Sequence, residues 1–526
     1  MEAGTDLIWF QTQIDSYPKC RDHKGVLNQF IKEIKSMDTA GRQQLLPQLK
    51  FQPMFDTLVK WNNPIYAKPF YELVSLVFEN CDAGKIVSEN EDLLLEFLGH
   101  VSTEFCTLLF NVLDRAISES GVSCFKKSPQ LMYKLVQSIS SEEADLDSQV
   151  LSLLEKIIAQ PEGAKLVFGS DIGQWLGEMC EMADIRFRVF ELASTAACGS
   201  AEGLEFVKTC NILQELESGL QGAMAHVDQV GFAATVDCFT KLGATSWGYK
   251  ELLESGVLSK LEARVVEYGP GTMEDKVMPS VYTFFGQVFK HFPEQALKDC
   301  PKVVPTVMNL IDISIDRAYV TRTEMEMIGM VAAKPAGKRH LAKLDPPVTL
   351  VLSHLKQFIS SGSSVDKICA IETVSSLIAL QDKDQTEEML AITKTWFEVV
   401  WTSVEVLFHF CQEPFPGINR TSIPVFVSET VQCRNSGLQL LSTLANLAWG
   451  RTEICKLPSL LNWLAEGELC QDVHFSTNGV PSAESLQLKQ DVANVILNDA
   501  KTPEQSKKIL SKLKLSGLEA KRIKCV

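Results

Sequence analysis

Apolar residues recur at i, i+3 and i+4 along most of this 526-residue chain, the period of a helix with one buried stripe. In IRFRVFELASTAA (Ile185–Ala197) and VGFAATVDCFTKLGA (Val230–Ala244) that pattern predicts helices, with no strict alternation to suggest a half-buried strand. Prolines in DPP (Asp345–Pro347) and EPFPG (Glu413–Gly417) interrupt the pattern. Proline lacks the backbone N–H that a helix interior needs, so both stretches mark turns. WFEVVWTSVEVLFHFC, from Trp396 to Cys411, is aromatic at helical spacing and reads as core. The chain is expected to be all-α.

The pattern also copies itself. EGAKLVFGSDIGQWL begins at Glu162 and EGLEFVKTCNILQEL at Glu202, a spacing of 40 residues. Gly163 pairs with Gly203, Val167 with Val207, Ile172 with Ile212, Gln174 with Gln214 and Leu176 with Leu216. The same order returns in GYKELLESGVLSKL from Gly248, GKRHLAKLDPPVTLVL from Gly337 and GRTEICKLPSLLNWL from Gly450. It is looser from Gly121 to Leu135, and Pro293–Ile311 keeps the apolar order without the Gly. Repeats of about 40–46 residues belong to HEAT and armadillo architectures, in which each unit buries its apolar face on its neighbours. Each unit reads as helix, turn, helix, turn, with the repeated Gly expected at a left-handed cap. The prediction is an α-solenoid of HEAT/armadillo-like repeats, a curved superhelix over residues 1–470. Residues 471–526 are expected to add a C-terminal helical cap and basic tail to the same superhelix. The span from Gly337 to Gly450, 113 residues, must hold at least one irregular unit.

A solenoid grows by adding layers, so this length does not require several globular cores. The net charge is −16, which argues against the broad basic surface of a nucleic-acid binder. The 15 cysteines are scattered, and several, such as Cys238, Cys369 and Cys433, fall on apolar helical positions where a free thiol packs as a small hydrophobe. The opening MEAGTDLIWFQTQIDSY is acidic where a secretory signal would be cationic, and apolar runs such as Cys106–Leu113 are too short to cross a bilayer. A reducing compartment, cytosol or nucleus, is expected. The sequon at Asn419 is then a coincidence. From Lys501 to Val526 there are eight Lys or Arg against two Asp or Glu, leaving about −22 for the remainder of the total. That tail reads as a solvated last helix, or as an electrostatic latch onto an acidic surface.

The search for chemistry finds no H-E-x-x-H, no P-loop, no G-x-S-x-G and no G-x-G-x-x-G. His409 and Cys411 stand without a second ligand pair, and no residue is assigned to catalysis, to a cofactor or to a metal. Acidic pairs at Glu142-Glu143 and Glu387-Glu388 read as solvated charge. What remains is a stack that binds. None of the eight Trp is followed four positions later by Asn, so the W-x-x-x-N array of nuclear-import receptors is absent. In DIRFRVFELAST, Asp184 and Arg186 or Arg188 suit a structural polar ladder, whereas Arg186, Arg188 and Glu191 could instead present a mixed-charge patch to a partner.

RFRVFELA (186–193), VMPSVYTFFGQV (277–288), PVTLVLSHL (347–355), WFE…LFHFCQEPFPGI (396–418) and LSTLANLAWGRTEI (441–454) together resemble the 26S proteasome non-ATPase regulatory subunit 5 family in order and spacing. The resemblance implies a HEAT/armadillo-like chaperone of proteasome assembly. Such a protein binds the C-terminal domain of an AAA ATPase subunit of the base, without nucleic acid or membrane, is monomeric when free, and leaves before the mature particle forms. The family supplies no catalytic residues to carry over. The other reading is a generic cytosolic scaffold for another complex.

Overall fold

Five of the repeats are built on a sharp corner between two helices, and the repeated glycine makes that corner possible. In a computed structural model, which describes residues 3–61, 64–99, 103–140, 144–226, 228–269, 273–313, 318–345, 347–408, 430–465, 483–499 and 501–510, every described element is a helix. Gly163, Gly203, Gly248, Gly337 and Gly450 are each the third residue of a short helix, for example Pro161–Phe168 or Ala201–Thr209. Their Cα atoms press on a carbonyl in the last turn of the helix before. A Cβ would stand 1.9 Å from Ile157 O at Gly163, 2.2 Å from Leu242 O at Gly248 and 1.7 Å from Val331 O at Gly337.

The expected left-handed cap at these glycines is therefore wrong. The left-handed residue comes eight positions later, at Asn211 (φ 60°) and Gly256 (φ 76°), where the short helix turns into the next one. The repeated Gly is helical and is needed for close approach, not for backbone freedom. Side chains complete the corner: the Gly203 N–H donates to Ser200 Oγ at 2.9 Å and the Gly248 N–H to Thr245 Oγ1 at 3.1 Å. Such N-caps satisfy amides that the first helical turn leaves without partners.

The unit consequently has three helices, where the apolar pattern alone suggested two. A long helix is followed by the short Gly helix and then by a third helix, as in Gln229–Gly243, Ser246–Glu254 and Val257–Glu267. The short helix escapes a period-based reading because it spans barely two turns.

The chain forms two compact units, Met1–His226 and Val227–Val526. In the first, His23–Ser36, Pro64–Asn80, Thr103–Ser120, Ala144–Ile158 and Ala183–Gly199 pack in succession as a row of long helices. Gly121 departs from its fellows: at φ 66° it opens a 3-10 stretch, Gly121–Lys127, in the place of a short helix. In the second unit the row runs through Gln229–Gly243, Met278–His291, Ala318–Val331, Ser364–Ile378, Val431–Ala445 and Ala483–Asn498. A parallel row of third helices runs through Val257–Glu267, Val303–Ile313, Thr349–Ser361 and Glu387–Phe408. Tyr282, Phe284, Phe285 and Phe289 are fully buried between the rows, each worth roughly 2–3 kcal/mol of transfer free energy.

Polar contacts carry the same period. Ser128 Oγ donates to Val87 O at 2.6 Å, Cys210 Sγ to Phe168 O at 3.1 Å and Lys302 N to Glu262 Oε1 at 2.8 Å, across 41, 42 and 40 residues of sequence.

The irregular unit lies where the glycine spacing breaks. Ser364–Ile378 is followed by a 3-10 turn, Asp382–Asp384, and then by the 22-residue helix Glu387–Phe408. That helix touches the short helices Pro335–Leu341 and Ala448–Cys455 as well as Thr349–Ser361, so it fills the short and third places together. Its sequence contains neither Gly nor Pro, so nothing makes a corner within it. Trp396, Phe397, Val400 and Val404 are buried along it, as the aromatic pattern predicted. Ala483–Asn498 packs on Val431–Ala445, and Glu504–Leu510 packs on Pro458–Ala465. EPFPG, the sequon, His409, Cys411, Glu142-Glu143 and the basic tail after Leu510 lie outside the described residues.

Candidate binding surface

The DIRFRVFELAST segment belongs to the long helix Ala183–Gly199. Its two arginines are half-buried and turned to backbone: Arg186 Nε donates to Cys180 O at 2.8 Å, and an Arg188 guanidinium N–H to Ile139 O at 2.5 Å. Both acceptors lie just beyond or near the ends of helices, where carbonyls lack intrahelical partners and the dipole favours a cation. Glu191 is exposed on the same helix. The Asp184 side chain lies outside the described set. The arginines thus tie neighbouring layers together, and Glu191 is the member most available to solvent.

A concave feature lies in the second unit. A cleft of about 430 Å³ opens between Ser364–Ile378 and Val431–Ala445, with Leu488 at one side. Glu372, Ser375, Ser376, Asn435, Ser436 and Gln439 line it. Ser436 Oγ donates to Glu372 Oε1 at 2.7 Å across 64 residues, a separation that breaks the usual repeat period. One layer away, Arg322 pairs with Asp366 at 2.8 Å. Burial, together with the nearby Glu372 carboxylate, raises the Glu326 carboxyl above the usual range against the opposing pull of Cys369 and Arg322. None of these residues belongs to a motif. The usable signal was the missing glycine corner between Gly337 and Gly450.

Burial pushes the thiols of Cys81, Cys180 and Cys300 up to about 11, 12 and 12, and Cys369 further, the reverse of an activated nucleophile. Among the described residues no group of three or more His, Cys, Asp or Glu is placed to hold a metal ion. Glu388 pairs with Arg339 at 3.0 Å on the surface. No described helix is long and apolar enough to cross a membrane.

The model of one family, described as the proteasome non-ATPase 26S subunit, matches residues 13–472. The chain belongs to the proteasome non-ATPase 26S subunit family. Among curated relatives of this family, the mouse 26S proteasome non-ATPase regulatory subunit 5 is 23% identical over 379 residues, covering 71% of this chain and 73% of the relative. The human protein of that name is 22% identical over 369 residues, covering 69% of each. Among solved structures, yeast importin-beta (Kap95p) superposes with a TM-score of 0.58 at 11% identity over 95% of this chain and 60% of that one. This last likeness concerns the fold, a HEAT/armadillo-like solenoid, and agrees with the rows of stacked helices.

Proposed function

We propose that this chain is a non-catalytic chaperone in assembly of the base of the 26S proteasome regulatory particle. In this reading it binds the C-terminal domain of an ATPase subunit and dissociates before the mature particle forms, working in the cytosol and nucleus. The observation that carries the reading is membership of the proteasome non-ATPase family across residues 13–472. The stacked rows supply the means, since a solenoid exposes an extended face whose area grows with each layer. Such a protein acts by occupancy. It covers an ATPase surface and withholds it from neighbours until a competing interface displaces the chaperone. The patch of Arg186, Arg188 and Glu191 is one proposed contact, with Glu191 as its exposed charge.

Affinity capture from cells, followed by mass spectrometry, tests the reading. One or two base ATPases without the proteolytic core particle are expected. Intact 26S particles in constant ratio would mark a permanent subunit instead, and the absence of ATPases would end the proposal.

A further inference from the structure

We propose that Lys290, His291 and Lys334, where the long helices Met278–His291 and Ala318–Val331 end side by side, dock a carboxylate-rich segment of a protein partner. The two helices pack closely as neighbours in the row of the second unit. Gly286 and Met330 approach so tightly that a Cβ on the glycine would stand 2.6 Å from the methionine sulfur. Lys290 and Lys334 each follow four residues later, so the same approach brings them to one edge. All three residues are exposed. Desolvation first, then the Lys290 and Lys334 charges, lower the His291 pKa below its ordinary value, as close ammonium groups do.

Two features separate this cluster from ordinary surface charge. First, among the described residues none of the three enters an ion pair, and neither does Glu294, the next acid in sequence. Other bases nearby are engaged: Lys338 Nζ donates to Ser376 O and Leu377 O, and Arg339 pairs with Glu388. Like charges gathered without a counter-charge oppose one another, and an incoming carboxylate relieves them. Second, helix-end electrostatics account for only part of the cluster. Lys290 and His291 close the last turn of their helix, where the dipole favours cations. Lys334 instead is the N-cap residue of Pro335–Leu341, where the dipole opposes a cation, and its side chain makes no cap hydrogen bond. Between Glu326 and Asp345 the chain carries Lys334, Lys338, Arg339 and Lys343 and no acid, within a total charge of −16. The inference rests on the chaperone reading only for which protein carries the acidic segment.

The probe is a fluorescent octaglutamate, titrated into the full-length chain at about 0.1 M salt, where exposed charges beyond roughly 10 Å are screened. The net charge of −16 repels this peptide, so binding must come from a local cationic surface, either this cluster or the basic stretch after Lys501. Wild type is expected to bind it, and Lys290→Glu combined with Lys334→Glu to weaken binding about tenfold. Lys521→Gln combined with Arg522→Gln, in the basic stretch, should leave it unchanged. Lys334→Gln should melt at or above the wild-type temperature, because it removes a like charge. No binding by wild type, equal affinity in wild type and the Lys290/Lys334 double variant, or loss in the Lys521/Arg522 variant alone would overturn the proposal. So would a lower melting temperature for Lys334→Gln with unchanged peptide affinity, which assigns the lysine to the helix end. Oligothymidylate bound in place of the peptide would make phosphate the ligand and end the carboxylate assignment. Each of these failures leaves the ATPase reading untouched, since capture from cells tests it separately.

Discussion

Lys338 Nζ donates to Leu377 O at 2.6 Å and to Ser376 O at 3.0 Å, closing the end of a helix in the next layer. Leu377 is the penultimate residue of its helix, as Ile157, Leu242 and Leu444 are of theirs. In those three layers a glycine Cα packs over the carbonyl. Where the glycine corner is missing, the buried Lys338 amine takes its place. An N–H donor suits this place because the last carbonyls of a helix lack intrahelical partners.

This arrangement predicts an unusual pH dependence. Burial pushes Lys338 from its ordinary value of 10.5 down to about 7. Between about 7 and 10.5 the unfolded chain holds a proton that the folded chain has lost, so stability rises with pH across that window. Below about 7 both states are protonated and the cost of the buried charge is fully present. Lys338→Met removes the effect and strands the Leu377 carbonyl. Melting temperatures of both proteins from pH 6 to 9.5 should show wild type gaining steadily on the variant above pH 7, by an amount on the order of a few kcal/mol. A constant difference across the range would refute the assignment.

The glycine corners give a second prediction. In an exposed helix, Gly→Ala stabilises by about 1 kcal/mol. At Gly337 a Cβ would stand 1.7 Å from Val331 O, so two helices must separate. Gly337→Ala is expected to destabilise by roughly 1–3 kcal/mol in urea titrations, as overpacking does. Gly256→Ala tests the other kind of glycine. It meets nothing within 4 Å, and its cost of about 1–2 kcal/mol comes from the left-handed backbone alone. A rise in stability for Gly337→Ala would show that the close approach is not a constraint.

These corners also mark what could be read from the chain. The 40-residue match of Gly163 and Gly203 disclosed the repeat and its helical class, because apolar spacing encodes the buried stripe directly. It did not disclose why glycine recurs, since a close approach involves a carbonyl six or seven residues earlier and leaves no pattern of its own. Nor could spacing reveal that Glu372 and Ser436 meet, because the fused helix and its flanks lengthen their separation to 64 residues.

The pair of Arg322 and Asp366 yields an acid-side prediction. Burial works to raise the Asp366 carboxyl, but hydrogen bonds from Ser363 and Arg322 outweigh it and hold the group below the usual carboxylate range. A depressed carboxyl contributes stability above its unfolded value, and that contribution disappears as pH falls through the folded one. Arg322→Met should cost about 1–3 kcal/mol at pH 7. Chemical denaturation repeated near pH 3 should find the two proteins closer together. A gap that widens on acidification would mean that the pair is not the source.

Arg188 and Glu191, on one helix three residues apart, should separate stability from binding. Arg188 reaches Ile139 O across 49 residues, joining two layers through a charged hydrogen bond. Arg188→Ala leaves that carbonyl without its donor and should lower stability by about 1–3 kcal/mol. Glu191 is exposed, and Glu191→Ala should change stability by less than about 0.5 kcal/mol. Glu191→Arg reverses a surface charge and should weaken capture of the base ATPases if this helix faces them, while the melting temperature stays near wild type. Loss of capture in Arg188→Ala alone, in proportion to its loss of folding, would instead assign the segment to the scaffold and move the partner contact elsewhere along the row.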